Sequence, residues 1–168
     1  MSKRTAAILS LVGYIGVIVA ANWLTATFGL VSFIGITVTA GTFAAGAALI
    51  LRDAVQVELG KSVVLAAIVA GAVISAATST PAIAVASGIA FLVSEVVDFA
   101  VFSPLRNRNI AAAVLASSIV SAPVDTVLFL HIAGFGVTWD AVWGQFVVKT
   151  VLALIVATWL TYRQRQHQ

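Results

Sequence analysis

The chain has 168 residues, of which 61% are hydrophobic and only 9% are charged. A soluble domain carries about 25% charged residues, so this composition excludes an ordinary water-soluble protein and favours an integral membrane protein. The pI near 9.8 does not indicate nucleic-acid binding, because the basic residues flank apolar runs instead of forming one patch. With no cysteine, the chain has neither a disulfide nor a thiolate metal site.

Six apolar segments follow one another along the chain, each about 18–25 residues long and able to cross the bilayer core as a helix. We predict them at Thr5–Ala26, Phe33–Leu51, Ser62–Ser79, Ala82–Ser103, Ile110–Ala133 and Val142–Tyr162. The second is the weakest, because it is interrupted by Gly35, Thr37, Thr39, Gly41 and Thr42. The predicted fold is all-α: a six-transmembrane-helix bundle in one domain over residues 1–168.

The positions of the basic residues predict the orientation of this bundle. The connections "TATFGLV", "STP" and "GFGVTWDA" contain no Lys or Arg, whereas the other connections and the two ends hold nearly all of them. These residues are Lys3, Arg4, Arg52, Lys61, Arg106, Arg108, Arg163 and Arg165. The positive-inside rule then puts both termini in the cytoplasm. The expected location is the cell inner (plasma) membrane. A cleaved signal peptide is disfavoured, because removing the first helix would spoil this alternation.

The fourth segment, "AFLVSEVVDFAVFSPLR", carries two acids in an otherwise apolar run. A charge near the bilayer centre costs about 2.5–3.5 kcal/mol on insertion scales, so acids there face a bundle interior or a cavity. Glu95 and Asp98 are three residues apart and share a helix face with Phe91 and Ser94. They are candidate substrate ligands. A packing hydrogen bond for Glu95, and a basic partner for Asp98 at the cytoplasmic edge, remain open.

The fifth segment repeats the pattern in "ASSIVSAPVDTVLF". Asp125 lies near mid-membrane, with Ser118 on a preceding turn of its face and with Pro123, which favours a kink, beside it. An acid beside a kink is typical of a polar pocket, although Ser and Thr could also satisfy the kink internally.

Three polar residues on other segments complete the candidate site: Asn22, Thr42 and Lys149. Lys149 is a possible counter-ion for a buried acid, or it snorkels to the outer interface. The predicted substrate-binding set is Asn22, Thr42, Phe91, Ser94, Glu95, Asp98, Ser118 and Asp125. We predict no catalytic residue, metal or cofactor: "LGKS" lacks the leading Gly of a phosphate loop, and His131 and His167 are isolated. The chain is therefore not expected to be an enzyme.

Four blocks of the sequence, in this order, resemble the queuosine precursor transporter family, also called the vitamin uptake transporter (VUT) family. They are "ANWLTATFG", "TAGTFAAGAALILRDAVQVELG", "AFLVSEVVDFAVFSPLR" and "SSIVSAPVDTVLF". Asp53, Gly60, Asp98, Asp125-Thr126 and Phe129 match residues of the family pattern, whereas Val57 stands where an acid is usual. Many members also have an Arg-Asn pair where this chain reads "AAAVLASS". The resemblance implies import of a 7-deazaguanine, most of all 7-cyano-7-deazaguanine.

The residue types suit such a ligand. A guanine-like edge presents a ring N–H beside an exocyclic NH₂, and one carboxylate can accept both in a bidentate pair. An Asn amide can address the adjacent carbonyl, and an aromatic ring can stack on the base. Which acid binds the base edge stays open, as does the energy source for import.

Other functions remain compatible with the sequence. One is the substrate-capture (S-component-like) subunit of an energy-coupling vitamin importer, which would need a coupling partner. A further one is a non-transporting phage-type or assembly membrane protein. A homodimer is also compatible with the sequence. Besides the small-molecule substrate, the expected partner is the lipid bilayer, and no nucleic acid is expected.

Overall fold

A computed structural model describes residues 3–33 and 35–166. Within them the chain forms six helices and one two-stranded antiparallel hairpin. The elements are α1 (Lys3–Phe28), β1 (Leu30–Phe33), β2 (Ile36–Thr39), α2 (Thr42–Leu59), α3 (Lys61–Thr78), α4 (Pro81–Leu105), α5 (Ile110–Ile132) and α6 (Trp139–Gln166).

Five of the helices in this described part of the chain are long and apolar enough to cross a membrane. Their spanning parts are Ala7–Phe28, Lys61–Thr78, Pro81–Leu105, Ile110–Ile132 and Trp139–Thr158. The apolar part of α2 is shorter and covers only Thr42–Arg52. The predicted all-helical membrane architecture is thus confirmed for five helices. Helix α2 departs from it, because its apolar part is shorter than a membrane span.

The predicted second helix, Phe33–Leu51, is wrong over its first part. Residues 36–39 form strand β2, which pairs with β1 in the register Leu30↔Thr39 to Phe33↔Ile36. The sequence "ITVT" consists of β-branched residues, which lose side-chain freedom in a helix and fit a strand. Gly35 has φ +77°, a conformation that favours glycine, and it supplies the turn before β2.

The hairpin returns the chain to the interior of the bundle before α2 begins. The N–H of Ala40 donates to the carbonyl of Gly29 at 2.9 Å, and the N–H of Gly41 donates to Thr25 Oγ1 at 3.2 Å. Gly41 lies so close to α1 that a Cβ there would overlap the carbonyl oxygen of Ala21. Since a helix rises 1.5 Å per residue, α2 starts roughly 5–10 Å short of the end of α1. Non-helical backbone at that depth requires burial in protein, and Val38 and Thr39 are buried.

The helices pack as a closed ring. Neighbours follow the order α2, α1, α3, α4, α5 and α6, and α6 in turn packs on β2 and α2. Gly144 of α6 allows the close approach to the hairpin, because a Cβ there would overlap the carbonyl oxygen of Thr37. An apolar cluster that includes Tyr14, Ile18 and Ile68 fills the ring on the side of α1, α2 and α3.

Local signals fix where two of the central helices begin. Thr80 caps α4 by accepting from the N–H of Ile83 at 3.3 Å, and Pro81 occupies the first helical turn, where its missing N–H costs nothing. Asn109 caps α5 in the same way through its side-chain oxygen and the N–H of Ala112, at 3.0 Å. These caps set the rotation and depth of α4 and α5, which carry the acids singled out from the sequence.

Candidate functional site

A partly open pocket lies inside the ring, between α1, the hairpin, the start of α2, and α4, α5 and α6. Its cavity volume is about 30 Å³, which is room for one or two water molecules. A planar base therefore requires the surrounding helices to move apart before it can enter. Its polar lining residues are Asn22, Thr25, Thr39, Ser87, Asp125, Gln145 and Lys149.

The charged centre of the pocket is an ion pair between α5 and α6. Lys149 Nζ donates to Asp125 Oδ2 at 2.5 Å and to Thr126 Oγ1 at 2.9 Å. Lys149 is only 2% exposed and Asp125 only 8%. The lysine therefore does not reach an outer interface, and its charge compensates the acid. Charge compensation makes the burial of both groups tolerable.

Hydrogen bonds hold two parts of the pocket wall in place, one on α1 and one where the hairpin joins α2. Asn22 Nδ2 donates to Ser75 Oγ of α3 at 2.9 Å, which fixes the amide plane inside the bundle. Thr39 Oγ1 and Thr42 Oγ1 are 2.9 Å apart and share a hydrogen bond where the hairpin joins α2. Thr39 faces the pocket, whereas Thr42 supports it from behind without lining it.

Two phenylalanines contribute aromatic side chains to the lining of the pocket. Phe91 of α4 and Phe129 of α5 both line it. The ring of Phe129 also contacts that of Phe135, with centroids 6.3 Å apart. Ser94 lies one turn from the pocket and uses its hydroxyl to donate to the carbonyl of Phe91 at 3.1 Å. This bond satisfies the buried hydroxyl within its own helix, and Ser94 does not line the cavity.

The two acids of α4 lie outside this pocket, in a second buried ion cluster. Arg52 Nη1 is 2.9 Å from Glu95 Oε2, and Arg52 Nη2 is 3.1 Å from Asp98 Oδ2. All three residues are less than 9% exposed. Asp98 thus pairs with Arg52 of α2 and not with Arg106. The cluster lies one to two turns from Phe91, towards the end of the bundle where α2 and α3 join.

Ser118 lies apart from both groups. It lines a separate, smaller cleft between α2, α5 and α6, whose lining also includes Lys149. Of the eight residues predicted to bind substrate, the structure brings Asn22, Phe91 and Asp125 together in the main pocket, beside Lys149. The other five do not line it.

Three residues in and around the site had roles that the sequence did not predict: Arg52, Thr39 and Gly41. Arg52 was counted with the cytoplasmic basic residues, yet it is 5% exposed and bridges α2 to α4. Thr39 and Gly41 line the pocket only because the hairpin turns back. The Gly and Thr residues that interrupt the second apolar segment were a signal of this break, and so was its "ITVT" run.

The fold and the pocket together indicate a class of protein. A ring in which five apolar helices are long enough to span a bilayer, with a buried polar pocket inside it, is typical of multi-pass membrane proteins that carry small molecules. The profile of a family described as "Putative vitamin uptake transporter" matches residues 17–164, and the chain belongs to this family. No curated protein and no solved structure gives a significant match.

Proposed function

We propose that this membrane protein imports a queuosine precursor or a related 7-deazaguanine, with 7-cyano-7-deazaguanine as the foremost substrate. Membership of a vitamin uptake transporter family supports a small-molecule carrier. The observation that carries the narrower proposal is that one carboxylate, Asp125, lines the same pocket as the aromatic side chains of Phe91 and Phe129. Such a site suits a planar base that presents two adjacent N–H donors.

Among the acids of α4 and α5, Asp125 is the one we assign to the base. Glu95 and Asp98 are both engaged by Arg52 outside the pocket, so binding there would first require the cluster to open. Asp125 lines the pocket directly, and only its Oδ2 atom is the acceptor for Lys149. The base would share this carboxylate with the lysine, and Phe91 or Phe129 would stack on the ring.

The supporting residues suit the same ligand. Asn22 lines the pocket with an amide that is already fixed by Ser75, so it presents a defined polar surface to the base. The start of α2 lies at the same level, and a helix that begins within the membrane is a common element of transporter sites. In this proposal the pocket opens to the outside for capture, in the inner membrane, with both termini in the cytoplasm.

A substrate-capture subunit of an energy-coupling importer is the main alternative, since its pocket would have the same chemistry. The distinguishing experiment is uptake of labelled 7-cyano-7-deazaguanine into vesicles that contain this chain as their only protein. Saturable uptake, competed by unlabelled base and lost with Asp125→Asn, is the expected result. Tight binding without uptake would favour the subunit that waits for a partner. Absence of both would contradict the proposed substrate.

A further inference from the structure

One polar group in the pocket lacks a partner. Gln145 of α6 is 2% exposed and lines the pocket, and its Nε2 atom has no hydrogen-bond partner among the described residues. Leaving a buried amide donor unpaired costs free energy, because the group has lost its water without gaining another acceptor. A donor held in this way at the edge of a cavity is expected where a ligand supplies the missing acceptor.

The position of Gln145 relates it to the charged centre. It lies four residues before Lys149, hence one turn away on the same face of α6, and Lys149 contacts Asp125. The lining of the pocket therefore includes an unpartnered amide and a carboxylate acceptor, related through Lys149. A ligand edge that carries an acceptor beside a donor would satisfy both.

We propose that Gln145 is a specificity-determining residue, which donates its amide N–H to a carbonyl oxygen of the substrate while Asp125 accepts from the ring N–H beside that carbonyl. The inference rests on the proposed function and narrows it to bases of the lactam type. A ring carbonyl next to a ring N–H is the hydrogen-bonding pattern of guanine and its 7-deaza relatives.

The same geometry disfavours the amino-substituted type of base. In such a base an NH₂ group replaces the carbonyl, and the neighbouring ring nitrogen carries no hydrogen. The bare ring nitrogen would then meet the carboxylate of Asp125, so two acceptors would face each other. The amino group would find an acceptor at Gln145 only if the amide turned its oxygen towards it. The mismatch at Asp125 is the main source of discrimination, since unpaired polar groups in a buried site are costly.

The test compares two probes on the purified full-length chain: 7-cyano-7-deazaguanine, and the matched analogue in which an amino group replaces the ring carbonyl. The variants are Gln145→Leu, which removes the donor, and Gln145→Glu, which replaces it with an acceptor. Thr150→Val is the matched control, because Thr150 Oγ1 on the same helix is also buried and unpartnered but lines neither cavity.

We expect Gln145→Leu to bind the lactam about tenfold more weakly, as for one lost hydrogen bond, and Gln145→Glu to shift preference towards the amino analogue. Thr150→Val should bind both probes as the unchanged chain does. The melting temperature of ligand-free Gln145→Leu should stay the same or rise, because an unpaired amide is removed.

Unchanged affinity and preference in both Gln145 variants would overturn the inference while leaving the proposed function intact. A fall in ligand-free stability with Gln145→Leu, together with unchanged preference in Gln145→Glu, would overturn it as well, since Gln145 would then be structural. Failure of the unchanged chain to bind the lactam probe would contradict the proposed function itself, and the inference with it.

Discussion

Lys149 donates to the carboxylate of Asp125, and the pair joins α6 to α5 at the wall of the pocket. A substrate that donates to Asp125 therefore meets an acid whose charge is already compensated. This arrangement lets the bundle keep an anionic group in an apolar environment.

The first prediction concerns the stability of this pair. Asp125→Asn or Lys149→Met alone leaves one buried charge without its partner, and each should lower the free energy of unfolding by about 3–5 kcal/mol. The double variant removes both charges and should recover much of that loss. Thermal or denaturant unfolding in detergent, arranged as a double-mutant cycle, measures the coupling. Additive losses in the double variant would show that the two residues do not interact.

The second prediction concerns the cluster of Arg52, Glu95 and Asp98, which holds one cation and two acids. Arg52→Gln removes the cation that bridges these two buried acids and should cost about 3–5 kcal/mol of stability. Glu95→Gln keeps the ion pair between Arg52 and Asp98 and should cost clearly less. Unfolding of the two variants under the same conditions gives the comparison. The opposite order would mean that Arg52 is not the group that makes these acids tolerable.

The third prediction concerns the contact between the hairpin and α6. Gly144→Ala places a methyl group against the carbonyl oxygen of Thr37, so the two elements must separate. Overpacking of this kind typically costs 1–3 kcal/mol, and we also expect weaker substrate binding because Thr39 lines the pocket.

Gly16→Ala is the matched control for that substitution. It lies within α1, and nothing is found within 4 Å of the added Cβ. Since glycine weakens a helix interior by about 0.5–1 kcal/mol relative to alanine, this variant should be as stable as the unchanged chain or more stable. Equal stability of the two alanine variants would contradict the close approach at Gly144.

The fourth prediction concerns orientation in the membrane. Because the chain has no cysteine, single cysteines can be introduced as unambiguous reporters. Asn107→Cys in the connection between α4 and α5 should be protected from a membrane-impermeant thiol reagent added to intact cells. Val137→Cys, in the connection between α5 and α6, should be labelled. Both positions are exposed in the protein, so burial would not explain a difference. The reverse labelling pattern would place the termini outside.

The helices were predictable because hydrophobic length is a direct signal of membrane spanning. The predicted fourth segment, Ala82–Ser103, and α4, Pro81–Leu105, differ by only one or two residues at each end. The hairpin was not predictable by the same reasoning. Leu30–Thr39 is as apolar as a helix segment, and only its β-branched composition and its glycines distinguish it.

The candidate site was predictable in its residue types more than in its grouping. Buried acids were expected at Glu95, Asp98 and Asp125, and all three are buried. Their separation into a pocket and an ion cluster depends on where Arg52 and Lys149 lie in three dimensions. Helical spacing relates residues on one helix only, so it could not indicate which cation from α2 or α6 would meet which acid.

The most direct test of import is rescue in a cell that lacks both 7-deazaguanine synthesis and its own importer. This chain is expressed alone, 7-cyano-7-deazaguanine is supplied at low concentration, and modified guanine in transfer RNA is measured. We expect the unchanged chain and Gly16→Ala to restore the modification, and Asp125→Asn to restore none at equal abundance in the membrane. No modification with the unchanged chain well expressed, or full restoration by Asp125→Asn, would contradict import of this base through the pocket.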